Sequence, residues 1–166
     1  RPLQFLLEPF GHVVAVVQAG ELVVRGLLQQ AFAQAQTGQR QRELPADETS
    51  AELFREILDV NLVGSFIAAR AALERMGATL SIVNITSVSG MRANRGRLAY
   101  GASKAGVKLM SDVLALEFGN RGVRVNCVAP GPIETPTLSK LYGTEDRRLW
   151  LNQLPQGRYG EPDEVA

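Results

Sequence analysis

Three residues that can move a proton or polarise an oxygen lie close together in the second half of the chain. Tyr100 and Lys104 are four positions apart, and Ser87 precedes the tyrosine in the same segment. Side chains four positions apart share one face of a helix. A tyrosine hydroxyl, with a pKa of about 10, becomes a usable base only where a cation favours its phenolate, and Lys104 would supply that cation. The spacing therefore predicts acid–base chemistry at an oxygen atom.

The flanking sequence predicts the elements that would bring these groups together. The segment LSIVNITS is short and rich in β-branched residues, which is typical of a strand buried on both faces, and Ser87 ends it. The segment from 97 to 122 has helical periodicity and carries Tyr100 and Lys104. Because open α/β sheets bind ligands at the carboxyl ends of their strands, we expect the Ser87 hydroxyl to lie at the oxygen that Tyr100 protonates.

The order of elements predicts the fold class. A long helix is expected from about 50 to 76, begun by Asp47, Thr49 or Ser50 and ended at Gly77, and VRVNCVAP is expected to be a second buried strand. Helix, strand, helix and strand in this order indicate an α/β fold with a partial doubly wound parallel sheet flanked by helices. A loop or lid with short helical pieces is expected after Pro130.

The periodicity of the two helices also predicts which residues they bury. For the first helix these are Leu53, Phe54, Ile57, Leu58, Leu62, Phe66, Ile67 and Ala71. For the second they are Ala99, Ala102, Gly106, Leu109, Met110, Val113 and Leu116, with Gly119 and Gly122 ending the helix.

Composition excludes several classes of function. A net charge of +1 over 166 residues is too balanced for a protein that binds nucleic acid. No stretch predicts a membrane span or a signal peptide, and one cysteine, Cys127, fits a reduced, cytoplasmic setting. A hydrolytic triad or a histidine metal site would depend on His12 alone, so we expect neither.

Several motifs together resemble the classical short-chain dehydrogenase/reductase family, close to its β-ketoacyl reductase-like members. They are LDVNLVGSF with Asn61, NITSVSG with Ser87, YGASK with Tyr100 and Lys104, and PGPIET after the second strand. The resemblance covers about 46 to 166 and implies a Rossmann-like fold. Residues 1–45 are expected to be a divergent N-terminal segment with one strand and one helix.

The resemblance implies hydride transfer between NAD or NADP and a small-molecule carbonyl or secondary alcohol. It assigns the catalytic roles to Asn61, Ser87, Tyr100 and Lys104. Tyr100 would be the general acid or base, Lys104 would lower the pKa of Tyr100 and hold the nicotinamide ribose, Ser87 would polarise the carbonyl, and Asn61 would anchor a water that leads to Lys104. The cofactor-binding residues it implies are Tyr100, Lys104, Pro130, Gly131, Ile133 and Thr135. A homo-oligomer, dimeric or tetrameric, is expected through the helices around 50–76 and 99–119.

The family pattern is incomplete in this sequence. Gly11, Gly20 and Gly26 are too far apart for the glycine-rich turn that receives a dinucleotide pyrophosphate. The chain has no such turn, starts without methionine and ends in GEPDEVA, and together these features predict a truncated chain. We therefore expect weak cofactor binding by this chain alone.

Two other functions stay open. One is a non-catalytic, truncated relative that serves as an oligomerisation or interaction module. The other is a nucleotide-independent enzyme that uses Ser87, Tyr100 and Lys104, for example in acyl transfer. Two single residues also have a purely structural alternative. Asn61 could serve just to kink its helix, and Ser87 just to cap its strand, with no part in catalysis.

Overall fold

A computed structural model describes residues 44–74, 80–134 and 143–165. The first helix runs without a break through α1 (Ala51–Leu58), a π-helical turn (Asp59–Val63) and α2 (Gly64–Glu74). Strand β1 (Leu80–Ile85) leads through a 3-10 turn (Val88–Gly90) into α3 (Leu98–Phe118). A second 3-10 turn (Gly119–Arg121) precedes β2 (Val123–Val128), followed by α4 (Thr144–Leu151) and a last 3-10 turn (Pro162–Glu164).

The helix boundaries follow the capping residues. Ser50 caps α1, since its hydroxyl accepts from the Leu53 backbone N–H at 3.2 Å, so Ser50 is the N-cap among the three candidates. Gly122 ends the turn after α3 with φ of 80°, a left-handed conformation that glycine adopts without strain. Gly77, the predicted end of the first helix, lies outside the described residues, as do residues 1–43.

The two strands confirm the predicted parallel sheet. β1 and β2 pair in parallel, from Leu80 opposite Val123 to Ile85 opposite Val128. One face of this sheet packs on α2 and α3 around a core of Ala69, Ala72, Leu80, Ile82, Leu114, Val123 and Val125.

The prediction that both faces of the strands are buried is wrong for the described residues. Buried and partly buried residues alternate along β1, and on β2 Arg124 and Asn126 are exposed. The Arg124 guanidinium donates to the Ser81 hydroxyl at 3.1 Å across the outer face. The outer face of the two strands therefore mixes polar and apolar side chains, and the helices described here pack on the opposite face. The outer residues are Ser81, Val83 and Ile85 on β1 and Arg124, Asn126 and Val128 on β2.

The predicted buried faces of the helices are also partly wrong. Ile57 and Ala99 are buried as expected, but Phe66, Ile67, Leu109, Val113 and Leu116 are exposed, and so is Ala102. The buried positions instead carry mainly small or polar side chains: Asn61, Ser65, Ala69 and Ala72 in the first helix, and Ser103, Lys104, Val107, Ser111 and Leu114 in α3. Close helix packing favours small side chains at the contact, and hydrogen bonds satisfy most of their polar groups, such as the Asn61 amide nitrogen and the Ser65 and Ser111 hydroxyls.

After β2 the chain forms a compact segment held by polar contacts. Ile133 forms a parallel bridge with Gly160, and Glu161 and Glu164 form a capping box at the last turn. The Arg158 guanidinium makes two hydrogen bonds of 2.7 Å with the Glu164 carboxylate. The helical pieces expected in this region are present as α4 and the last turn. Within the described ranges, no helix is long and apolar enough to cross a membrane.

Candidate active site

The carboxyl ends of the two strands bring Ser87 beside the segment that follows β2. The Thr86 backbone N–H donates to the Val128 carbonyl at 2.8 Å, and the Val88 N–H donates to the Pro130 carbonyl at 3.2 Å. Ser87 lies between these two bonds, with an extended backbone and a side chain that is 8% exposed. Its hydroxyl accepts from the Ser89 N–H at 3.1 Å, so Ser87 does cap the 3-10 turn.

Glycines let this turn pack directly on the helix that carries the tyrosine. A Cβ on Gly90 would lie 2.7 Å from the Ala105 backbone nitrogen, and one on Gly101 would lie 2.9 Å from the Ser89 carbonyl oxygen. A Cβ on Gly106 would lie 2.8 Å from a methyl carbon of Leu62. These distances show that the glycines of the turn and of α3 permit this close approach. The close packing fixes the turn that carries Ser87 relative to α3.

Tyr100 and Ser87 meet at this contact. The Ser87 hydroxyl hydrogen-bonds the Tyr100 phenol, which lowers the pKa of the tyrosine, and the positive charge of Arg97 lowers it further. Burial acts in the opposite direction and is the largest effect, so the pKa of Tyr100 is raised above its ordinary value. The sequence predicted a lowered tyrosine pKa, and that direction is wrong for this structure because desolvation of the phenolate outweighs the neighbouring dipole and charge.

Lys104 lies beneath the same ring and is fully buried, with an exposure of 0%. Its ammonium donates to the Ile85 carbonyl at 3.0 Å and lies 5.9 Å from the centre of the Tyr100 ring. The Thr86 hydroxyl donates to the Lys104 carbonyl at 2.7 Å, which ties this helical turn to the end of β1. Burial is the largest effect and lowers the pKa of Lys104 to about 8, while the nearby Cys127 acts in the opposite direction.

Asn61 reaches the same helix from the π-helical turn. Its side chain is 1% exposed and donates to the Ser103 hydroxyl at 3.0 Å, and Ser103 donates to the Tyr100 carbonyl at 2.7 Å. The Asn61 carbonyl accepts from the Ser65 hydroxyl at 2.6 Å. Its side-chain oxygen, Oδ1, is buried and has no hydrogen-bond partner among the residues that the structure describes. Asn61 therefore both occupies a π-turn, a feature frequent at functional sites, and is linked to the backbone at Tyr100.

Part of the PGPIET segment, which is expected beside the nicotinamide, lies next to Ser87. Pro130 and Ile133 are partly buried and Gly131 is exposed, with open space where a Cβ would stand. The Gly160 N–H donates to the Pro132 carbonyl at 3.0 Å, and the Glu134 N–H donates to the Gly160 carbonyl at 2.7 Å. Thr135 lies outside the described residues.

Arg97 and Trp150 are two residues of the site that the sequence motifs did not predict. The guanidinium carbon of Arg97 lies 5.7 Å from the centre of the Tyr100 ring and 5.5 Å from a ring of Trp150 on α4. Arg97 stands three positions before the tyrosine, and that spacing was a usable signal. No local pattern links it to Trp150, because the contact joins two distant parts of the chain.

Comparison with known proteins identifies the class that this fold and site define. The family model described as enoyl-(acyl carrier protein) reductase matches residues 26–166, which is most of the chain. The chain belongs to the short-chain dehydrogenase/reductase family, a family of oxidoreductases.

Individual relatives agree with this assignment. The chain is 44% identical over 112 residues to a 3-oxoacyl-(acyl-carrier-protein) reductase of Thermotoga maritima, covering 66% of this chain and 45% of the relative. It is 38% identical over 125 residues to the NADP-dependent (R)-specific alcohol dehydrogenase of Lentilactobacillus kefiri, covering 72% and 50%. A solved structure of a 4-hydroxyisoleucine dehydrogenase mutant with NADH and succinate has a TM-score of 0.69 at 27% identity, covering 83% of this chain and 63% of that one. The chain spans about half the length of the curated relatives it matches.

Proposed function

We propose that the chain carries the proton-transfer half of a site that moves a hydride between NAD or NADP and a carbonyl or secondary alcohol. The observation that carries the proposal is the hydrogen bond between the Ser87 and Tyr100 hydroxyls, with the Lys104 ammonium buried beneath the same ring. Two hydroxyls directed at one point can both bind a single substrate oxygen, as acid–base catalysis at a carbonyl requires.

The roles of the two hydroxyls follow from their chemistry. In reduction, the Tyr100 O–H donates its proton to the substrate oxygen while the Ser87 hydroxyl donates a hydrogen bond to it; in oxidation, the phenolate accepts the proton. Because the pKa of Tyr100 is raised, the phenol holds its proton at neutral pH. The site is therefore suited to act as a general acid, in the direction of carbonyl reduction.

The donor set fits one side of a nicotinamide nucleotide. A hydroxyl and an ammonium at one site, those of Tyr100 and Lys104, match the oxygens of a ribose. Pro130, Gly131, Ile133 and Thr135 would line the nicotinamide, and the open space at Gly131 leaves room for a ligand there. When bound, the nicotinamide supplies or accepts the hydride. A solved relative holds NADH and another relative is named as NADP-dependent, which supports this class of cofactor.

A cofactor titration tests the proposal. We expect NADH or NADPH to bind the folded chain saturably, as followed by calorimetry, and Lys104→Met to weaken that binding by about tenfold or more, because it removes a buried cation from the ribose site. Lys108→Met is the matched control, since Lys108 lies one turn further along α3 with about half its side chain exposed, paired with Asp112. We expect it to bind like the unchanged chain.

A failure to bind either nucleotide would favour the alternative function, that of a non-catalytic interaction module. If the folded chain binds neither nucleotide at millimolar concentration, the proposed hydride transfer by this chain is refuted. The non-catalytic interaction module would then be the better description.

We also propose that the protein forms homo-oligomers through its two long helices. The exposed large apolar side chains of the first helix are Val63, Phe66 and Ile67, and those at one face of α3 are Leu109, Val113 and Leu116. Leu116 is 84% exposed and Leu109 is 64% exposed. Apolar stripes of this kind are characteristic of protein interfaces.

Light scattering after size exclusion tests this interface. We expect the unchanged chain to be a dimer or a larger oligomer, and the double variant Phe66→Glu/Leu109→Glu to be a monomer, because it places charges on both stripes. Leu149→Glu is the control, since this exposed leucine lies on α4 instead. A monomeric unchanged chain at tens of micromolar would refute the interface.

A further inference from the structure

Arg97 connects the tyrosine to the segment that follows β2. It stands at the N-cap of α3, where its carbonyl accepts from the Gly101 N–H at 2.7 Å. Its guanidinium contacts two aromatic rings, those of Tyr100 at 5.7 Å and Trp150 at 5.5 Å. Both distances lie within the range of a cation–π contact. The guanidinium is thus held beside Tyr100 by a residue from a different element.

The groups around Tyr100 place two cations at the ring. Lys104 lies at 5.9 Å from the ring centre on the same helix, and Arg97 lies at 5.7 Å. The Ser87 hydroxyl reaches the phenol from the 3-10 turn. From β2, Cys127 acts on Lys104, and from α4, the charge of Arg147 is paired with Glu134.

The two cations differ in how long they stay charged as the pH rises. Burial lowers the pKa of Lys104 to about 8, so its charge is lost at a lower pH than that at which Tyr100, whose pKa is raised, ionises. An arginine stays protonated throughout that range.

We propose that Arg97 is a positioning residue for Tyr100, whose guanidinium, held against the Trp150 ring, supplies the permanent positive charge that favours the phenolate. The catalytic significance of this assignment rests on the proposed function. The electrostatic effect of Arg97 on the ionisation of Tyr100 does not. In hydride transfer, Arg97 would ease the ionisation of the phenol as the proton leaves for the substrate oxygen.

The ionisation of Tyr100 can be measured without cofactor or substrate. The chain has three tyrosines, so labelling with 3-fluorotyrosine gives three fluorine resonances, and Tyr100→Phe identifies the one that belongs to Tyr100. The fluorine substituent makes the phenol more acidic and moves the titration to lower pH. In Arg97→Gln we expect the ionisation constant of Tyr100 to fall on the order of tenfold, as for loss of one charge at this distance.

Two variants separate this effect from general electrostatics. Arg95→Gln removes an equal charge from an exposed position in the same loop and should leave the titration of Tyr100 unchanged. Arg97→Lys keeps the charge without the planar group and should give an intermediate constant. Because Trp150 is the single tryptophan of the chain, its fluorescence should change in Arg97→Gln and stay unchanged in Arg95→Gln.

The outcomes are distinct. A fall in the ionisation constant that is specific to position 97 supports the proposal, even if the chain proves unable to bind a nucleotide. If Arg97→Gln and Arg97→Lys both titrate like the unchanged chain, or if Arg95→Gln shifts Tyr100 as much as Arg97→Gln does, the proposal is refuted. If Arg97→Gln does not fold, Arg97→Lys with Arg95→Gln decides in the same way.

Discussion

Tyr100→Phe is expected to lower turnover by roughly 100-fold to 10,000-fold, the range that a positioned general acid contributes. Phenylalanine keeps the ring that contacts Arg97 and Lys104 but has no proton to give to the substrate oxygen. The Ser87 hydroxyl would lose the phenol as a partner and keep the Ser89 N–H, and the substrate oxygen would keep only the serine as donor. The loss should therefore fall mainly on kcat.

The measurement is the oxidation of NADH or NADPH with a panel of small ketones, for the unchanged chain and the variant side by side. Tyr159→Phe is the matched control: its hydroxyl donates to the Arg147 carbonyl at 3.2 Å, so its loss removes one hydrogen bond, about 1 kcal/mol of stability. Tyr159→Phe should keep turnover within a fewfold of the unchanged chain. If Tyr100→Phe does so too, Tyr100 is not the general acid.

The sequence was sufficient to predict the elements that carry the site. The strand at Ser87, the helix at Tyr100 and Lys104 and the parallel pairing of the two strands are all present as expected. These features depend on local periodicity and on glycine positions, which a single sequence displays. The approach of Ser87 to Tyr100 follows because Gly90 and Gly101 allow the turn to contact the helix.

The errors arose where a long-range contact overrides the local pattern. Periodicity gave α3 an apolar face with Leu109 and Leu116, but the buried face is organised by hydrogen bonds such as that of Asn84 to Ser111, at 2.7 Å. The raised pKa of Tyr100 depends on burial by several elements, and the contact of Arg97 with Trp150 joins distant residues. Neither can be deduced from local spacing.

Lys104→Met is expected to stabilise the fold at neutral pH, although it removes a group that we assign to the site. The pKa of Lys104 falls from 10.5 to about 8 because its charged form is desolvated. This difference corresponds to a cost of about 3 kcal/mol for keeping the buried ammonium charged at neutral pH. Methionine fills a similar volume without charge, but it leaves the Ile85 carbonyl without the ammonium donor, at about 1 to 3 kcal/mol. A net gain of about 1 kcal/mol is therefore expected at pH 7.

The dependence of this gain on pH identifies its cause. The folded state binds fewer protons at Lys104 than the unfolded state does between pH of about 8 and 10.5, so the unchanged chain gains stability as the pH rises through that window. Methionine has no such proton. The advantage of Lys104→Met should be full below the folded pKa of about 8 and should shrink steadily as the pH rises towards 10.

Urea unfolding at pH 7, 8, 9 and 10 measures this trend for Lys104→Met and for Lys108→Met. The control should show a nearly constant difference from the unchanged chain over the same range, since its exposed ammonium, paired with Asp112, has its pKa raised and stays charged. A difference for Lys104→Met that does not change with pH would mean that Lys104 is not held as a desolvated cation. If Lys104→Met is more stable but no longer binds the nucleotide, the buried charge serves the site and lowers the stability of the fold.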